Sequence, residues 1–84
     1  MREHTADGRH IIVNGRRWRA TDPEIPDEVR DRLQKHLMAA RRVQDRARTQ
    51  TAKVALGERG EPWWEQTSEQ RRARWESGLA ELDG

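Results

Sequence analysis

The dipeptide Asn14-Gly15 restricts the fold of this chain more than any other part of its sequence. A two-residue Asn-Gly turn between strand-forming residues is the strongest short-range signal for a β-hairpin, here over residues 10–19. Such a turn pairs Ile11 with Trp18, and side chains alternate between the two faces of each strand. We therefore expect a core-facing apolar face of Ile11, Val13 and Trp18 and a basic face of His10, Ile12, Arg17 and Arg19. An isolated hairpin is marginal in water, so the apolar face needs a cover.

Residues 27–56 contain neither proline nor glycine, and their acidic residues precede their arginines, which is the order that the helix dipole favours. Apolar and small residues share one stripe of this segment, with a seven-residue repeat at Leu33, Ala40, Ala47 and Val54. A single helix here would be about 45 Å long. Weak helix propensity over residues 48–51 leaves open a break into a helical hairpin. The pattern favours the single long helix, whose small alanines suit a second copy of the chain.

Gly57 and Gly60 are typical of a helix C-terminus followed by a loop, which we place over residues 57–66. Thr67, with Gln70 three positions later, forms a capping-box pattern that begins a last helix over residues 68–82. The four tryptophans are the only aromatic residues. We expect Trp18 and Trp75 to pack against the long helix. Adjacent side chains of an extended segment point to opposite sides, so either both Trp63 and Trp64 are buried or one of them forms a contact surface.

These elements predict an α+β, mostly helical fold: an N-terminal β-hairpin on a long amphipathic helix, a tryptophan loop and a C-terminal helix. The 84 residues suffice for one small domain, which we place at residues 9–84 after a flexible N-terminus of residues 1–8. A core of this size supplies only a few kcal/mol, and without cysteine there are no disulfides to add to it. Burial between two copies would add stability, so we expect a homodimer.

The net charge is only +2, yet 15 of the 17 basic residues are arginine, a side chain suited to carboxylates and phosphates. The charge alternates in sign along the chain, with basic and acidic blocks in turn. A single helix would carry a basic ridge about 30 Å long. Its members are Arg32, Lys35, Arg42, Arg46 and Lys53. With Arg17 and Arg19 of the hairpin, this ridge suggests binding to nucleic acid or an acidic partner. The alternative is a solvated face whose charges pair with the chain's own acidic blocks.

No catalytic or metal-binding motif stands in the sequence. The three histidines lack metal-ligand spacing, and the HExxH, phosphate-loop and GxSxG patterns are missing. A small core leaves little room for a ligand cavity of about 300 Å³. No window has the apolar length of a signal peptide core or a membrane span. We expect a non-enzymatic module without cofactor or metal, located in the cytoplasm and away from membranes.

Three segments carry a family resemblance. They are Gly15-Arg16-Arg17-Trp18-Arg19-Ala20-Thr21-Asp22-Pro23, Leu37-Met38-Ala39-Ala40-Arg41-Arg42 and Lys53-Val54-Ala55-Leu56-Gly57-Glu58-Arg59-Gly60-Glu61-Pro62-Trp63-Trp64. Residues 7–65 resemble a group of short bacterial proteins that share a GRxWRxxDP hairpin, a helical middle and an ALGERGxPWW-like segment. The resemblance implies a shared fold and brings no known catalytic residues. Some members are called Tol-type biopolymer transporters, a label that no span, lipoprotein signal or periplasmic address supports here.

Two functions remain open. The first is weak, sequence-independent nucleic-acid binding through arginines, joined by stacking on Trp63 or Trp64. The second is a protein adaptor or homodimeric interaction module anchored by Trp63 and Trp64. The modest net charge favours the second function, because proteins that bind duplexes usually carry a larger positive excess.

Overall fold

The computed structural model describes residues 3–84 and has the predicted α+β, mostly helical fold. Three short strands form an antiparallel sheet in the order β1-β2-β3, and three helices follow. The strands are β1 (Glu3–His4), β2 (His10–Val13) and β3 (Arg16–Arg19). The helices are α1 (Asp27–Arg42), α2 (Arg46–Ala55) and α3 (Ser68–Asp83), with a 3-10 turn (Trp63–Glu65) before α3.

The hairpin of β2 and β3 is confirmed in both its position and its register. Ile11 pairs with Trp18 as expected. Asn14 and Gly15 both have positive φ, 51° and 78°, as a two-residue turn of this kind requires. The turn therefore sets the register, and the register decides which side chains share a face.

Strand β1 was not predicted, since the sequence pattern places residues 1–8 in a flexible N-terminus. Glu3 and His4 instead pair with β2, and a tight turn returns the chain between the two strands. In that turn the amide of Gly8 donates to the carbonyl of Thr5 over 2.9 Å, and Gly8 has a φ of 72°. Asp7-Gly8 was thus a second turn signal of the same class as Asn14-Gly15. Residues 1–2 lie outside the described part of the chain.

The single long helix over residues 27–56 is wrong, and the alternative of a helical hairpin is confirmed. Its break lies at residues 43–45 and not at 48–51. The chain leaves α1 at Val43, and Gln44 takes a left-handed φ of 57°. The amide of Asp45 then donates to the carbonyl of Ala40 over 2.8 Å, which closes the helix end. The Asp45 carboxylate in turn accepts from the amide of Arg48 and caps α2. Asp45 therefore ends the turn and begins α2. Helix α2 then packs against α1.

The break also changes which residues are buried. The core consists of Ile25, Leu33, Leu37, Ala52, Ala55, Leu56, Trp75 and Leu82. On α2 the buried residues are Ala52 and Ala55, whereas Val43 and Ala47 of the predicted stripe are exposed. The seven-residue repeat does not continue through the turn, so it gives no support to a dimer of long helices.

The sheet contributes no residue to that core. Trp75 is buried as expected, but Trp18 is 43% exposed, so the prediction that it packs into the core is wrong. Helices α2 and α3 approach closely at Ala55 and Gly78, where a Cβ on Gly78 would lie 2.5 Å from the Ala55 Cβ. Helix α3 begins with the predicted capping box of Thr67 and Gln70. None of the helices in residues 3–84 combines the length and the apolar character needed to cross a membrane.

Candidate functional site

The first and the last of the three segments that carry the family resemblance, residues 15–23 and 53–64, meet in space. The indole N–H of Trp63 donates to the carbonyl of Ala20 over 2.9 Å, and the amide of Asp22 donates to the carbonyl of Leu56 over 2.9 Å. The Arg19 guanidinium donates to the carbonyl of Gly60 over 2.7 Å. We call this contact between residues 19–22 and 56–63 the joint. It attaches the sheet to the helices.

Asp22 lies at the centre of the joint and is 1% exposed. Its carboxylate accepts from Arg71 over 2.5 and 3.0 Å, from Arg74 over 2.5 Å, and from the amide of Glu24 over 2.8 Å. Arg71 also pairs with the Glu24 carboxylate over 2.8 Å. Both arginines come from α3, so this one carboxylate ties the exit of the sheet to the last helix.

The charges of this cluster are matched. Burial by itself raises the pKa of Asp22, but the hydrogen bonds from Arg71 and Arg74 and from the Glu24 amide outweigh it and hold the pKa below the ordinary 3.8. The hydrogen bond to Asp22 likewise raises the pKa of Arg71. Asp22 is therefore ionised and occupied by protein donors. This arrangement fits a structural role and does not fit proton transfer.

The joint corrects the prediction for Trp63. Its side chain is buried, with 7% exposed, and the Arg71 guanidinium lies 5.2 Å from its ring centroid. Trp63 therefore has no surface to offer a partner. Trp64 is half-buried, and its ring meets that of Trp63 edge to face at 5.1 Å. Of the two predicted anchors, only Trp64 reaches the surface.

Cations surround the two tryptophans that do reach the surface. The Arg16 guanidinium lies 4.6 Å from the Trp18 ring centroid, and the Lys53 ammonium lies 6.0 Å from it. Three further side chains surround Trp64: Arg9 at 5.1 Å, Arg19 at 5.7 Å and the His10 ring at 5.5 Å. We call this set, together with the exposed Arg17, the arginine-tryptophan surface. It covers both faces of the hairpin, because Arg16 and Trp18 lie on one face and His10, Arg17 and Arg19 lie on the other.

Of the predicted binding residues, the structure places Arg17, Arg19 and Lys53 at this surface. Burial, then the nearby charges of Arg59 and Arg41, lower the pKa of Lys53. Sequence reasoning missed Arg9 and Arg16 as binding residues. It assigned Trp18 to the core, because an apolar strand face usually packs inwards.

The basic ridge is not formed, because it required one continuous helix. Lys35 is exposed on α1, while Arg42 and Arg46 lie on either side of the break. Arg32 pairs with Asp83 at the end of α3. Within residues 3–84, Lys35, Arg42 and Arg46 make no ion pair.

Two grooves exceed the ligand-site volume of about 300 Å³ for which a small core was expected to leave little room. One, of about 450 Å³, lies between the sheet and α1. It is lined by His4, Ile11, Thr21, Asp22, Pro23, Arg30 and Gln34. The other, of about 310 Å³, lies between α2 and α3. Across the described range 3–84, no group of three or more His, Asp or Glu side chains is placed to hold a metal ion.

Comparison of the chain with protein-family models, with curated proteins and with solved structures gives no match.

Proposed function

We propose that this protein is a small, non-enzymatic, cytoplasmic module that binds nucleic acid with little sequence preference through the arginine-tryptophan surface. The observation that carries the proposal is the exposed Trp18 ring with two cations near it. A second ring, Trp64, has Arg9 and Arg19 near it, on the side of the hairpin that carries His10 and Arg19. Arginines supply phosphate contacts and aromatic rings supply stacking, which together are the usual means of sequence-tolerant binding.

The position of this surface supports the proposal. The sheet contributes no residue to the helical core, and Arg16, Arg17 and Trp18 of β3 are exposed, so these three side chains can contact a ligand without disturbing the packing of the helices. A β-ribbon of two strands is narrow enough to enter the major groove of a duplex, and an exposed strand also suits an extended single strand. The modest net charge of +2 is compatible with weak binding.

Reversing two charges of β3 is expected to weaken binding. Arg16→Glu with Arg17→Glu removes two exposed cations. The slope of log affinity against log salt is negative, and each lost phosphate contact makes it shallower by about 0.9 on duplex DNA. We expect the double variant to lose about tenfold in affinity and about 2 in slope. Fluorescence anisotropy of a labelled oligonucleotide, titrated at several salt concentrations, measures both quantities.

A matched control separates this site from a general charge effect. Arg42→Glu with Arg46→Glu makes the same change in net charge at two exposed positions by the helix break. It should leave the salt slope unchanged. Equal losses of affinity and slope in the two double variants would show that the sheet has no special part in binding.

A homodimeric or adaptor function is the second candidate, and the exposed Met38 and Val43 favour it. These side chains are 62% and 73% exposed, close together in sequence at the end of α1, and of a size usually buried. We expect Met38→Glu with Val43→Glu to abolish any self-association. Sedimentation of both proteins at high micromolar concentration tests this, and a wild-type monomer throughout would remove the dimer.

A further inference from the structure

The register of the sheet puts His4, Ile11 and Trp18 in one row across its three strands. His4 pairs directly with Ile11, and Ile11 pairs directly with Trp18. Residues that face each other across antiparallel strands project from the same side of the sheet. The row therefore forms a strip on one face, with Trp18 at its β3 end.

The same row connects Trp18 with the larger groove, although Trp18 itself does not line it. Its other two members, His4 and Ile11, line that groove, and Arg30 and Gln34 of α1 form the opposite wall. The groove thus combines the apolar side chain of Ile11 with polar side chains such as Arg30 and Gln34. Its volume of about 450 Å³ lies within the range of small-ligand sites. A nucleobase has the matching chemistry, with flat apolar faces and polar edges.

The charges also differ between the two ends of the row. At the Trp18 end, Arg16 and Lys53 are the cations nearest the ring. At the groove end, Arg30 pairs with Asp27 and Asp31, so its positive charge is already balanced. The open Trp18 end suits a phosphate backbone, and the groove end suits an uncharged base.

We infer that the preferred ligand is single-stranded nucleic acid, with one unpaired base stacked on Trp18 and a neighbouring base in the groove beside Gln34. This inference rests on the nucleic-acid binding proposed above and specifies its substrate. A base inside a duplex has both faces covered by its neighbours, so it cannot stack on Trp18. A free strand can follow the row, because each of its bases has an open face.

The test compares an oligothymidylate with a duplex of the same length, by anisotropy at one low salt concentration. Trp18→Leu keeps an apolar side chain at this exposed position but has no aromatic ring. The loss of one stacked base should cost about tenfold in single-strand affinity, whereas duplex affinity should change less than about twofold. Trp18→Phe restores a ring and should recover most of the loss.

A second variant tests the groove. Gln34→Glu adds a negative charge at an exposed position on its wall and should weaken single-strand binding several-fold. Gln44→Glu adds the same charge at the helix break, outside the residues that line the groove, and should have no such effect.

The outcomes distinguish the inference from the proposal on which it rests. A single-strand loss in Trp18→Leu that Phe restores supports the inference. Wild-type binding to both ligands, with no change in their ratio in Trp18→Leu, overturns it while nucleic-acid binding stands. A wild type that binds neither ligand at low salt overturns both.

Discussion

Asp22→Asn is expected to lower the free energy of unfolding by about 3–5 kcal/mol, the usual cost of removing one partner from a buried ion pair. The variant leaves Arg71 and Arg74 facing an amide that accepts at only one of its two polar atoms. Asp22 is almost fully buried, so water cannot replace the lost acceptor. Urea unfolding followed by circular dichroism measures the change.

The matched control is Asp31→Asn, the same substitution at an exposed surface pair. Asp31 lies 3.8 Å from Arg30, and its side chain is largely open to solvent. We expect a loss below about 1 kcal/mol there. Comparable losses in the two variants would show that the Asp22 cluster contributes no more than a surface ion pair.

The same cluster gives the stability a pH dependence. Since the pKa of Asp22 is below 3.8 in the folded chain, its contribution is fully present above its unfolded pKa of about 3.9. It is lost as the pH falls through the lower folded value. The difference between wild type and Asp22→Asn should therefore be constant from about pH 7 to pH 5 and shrink below about pH 4.

Gly57→Ala is expected to cost about 2–4 kcal/mol, from backbone strain and crowding together. Gly57 ends α2 with a φ of 83°, in the region that disfavours side chains. A Cβ there would lie 3.0 Å from the Asp22 Cβ and 3.1 Å from Cδ1 of Trp63. The added methyl group would push the joint apart. Urea unfolding again provides the measurement.

Gly15→Ala separates the two causes. Gly15 has a similar φ of 78°, but a Cβ there would meet no atom within 4 Å. Only the backbone strain remains, so the expected loss is about 1–2 kcal/mol. If both variants lose the same amount, the tight approach of Gly57 to Asp22 and Trp63 has no energetic consequence.

Local signals were sufficient for part of the fold. Asn14-Gly15 determined the hairpin and its register, and Thr67 with Gln70 determined the start of α3, because each depends on neighbours within a few residues. The break at Gln44 had only a weak local signal. Glutamine rarely adopts a left-handed φ, and Asp45 was a local N-cap signal that sequence reasoning missed.

The candidate site was predictable only in part. The basic residues Arg17 and Arg19 could be placed by alternation along β3. The Asp22 network could not, because its partners lie 49 and 52 positions away in the chain. Trp18 was misplaced for a related reason. The helices complete a core of their own, so Ile11 and Val13 of the hairpin are only half-buried and Trp18 is exposed.

The most direct test of the account uses the amide and indole signals of isotope-labelled protein during titration with an oligothymidylate at low salt. Each of the four tryptophans has its own indole N–H signal. We expect the Trp18 indole and the amides of residues 10–19 to shift, while the indole of Trp75, buried among the helices, stays in place. An unchanged spectrum, or shifts confined to α1 and α2, would contradict binding at the arginine-tryptophan surface.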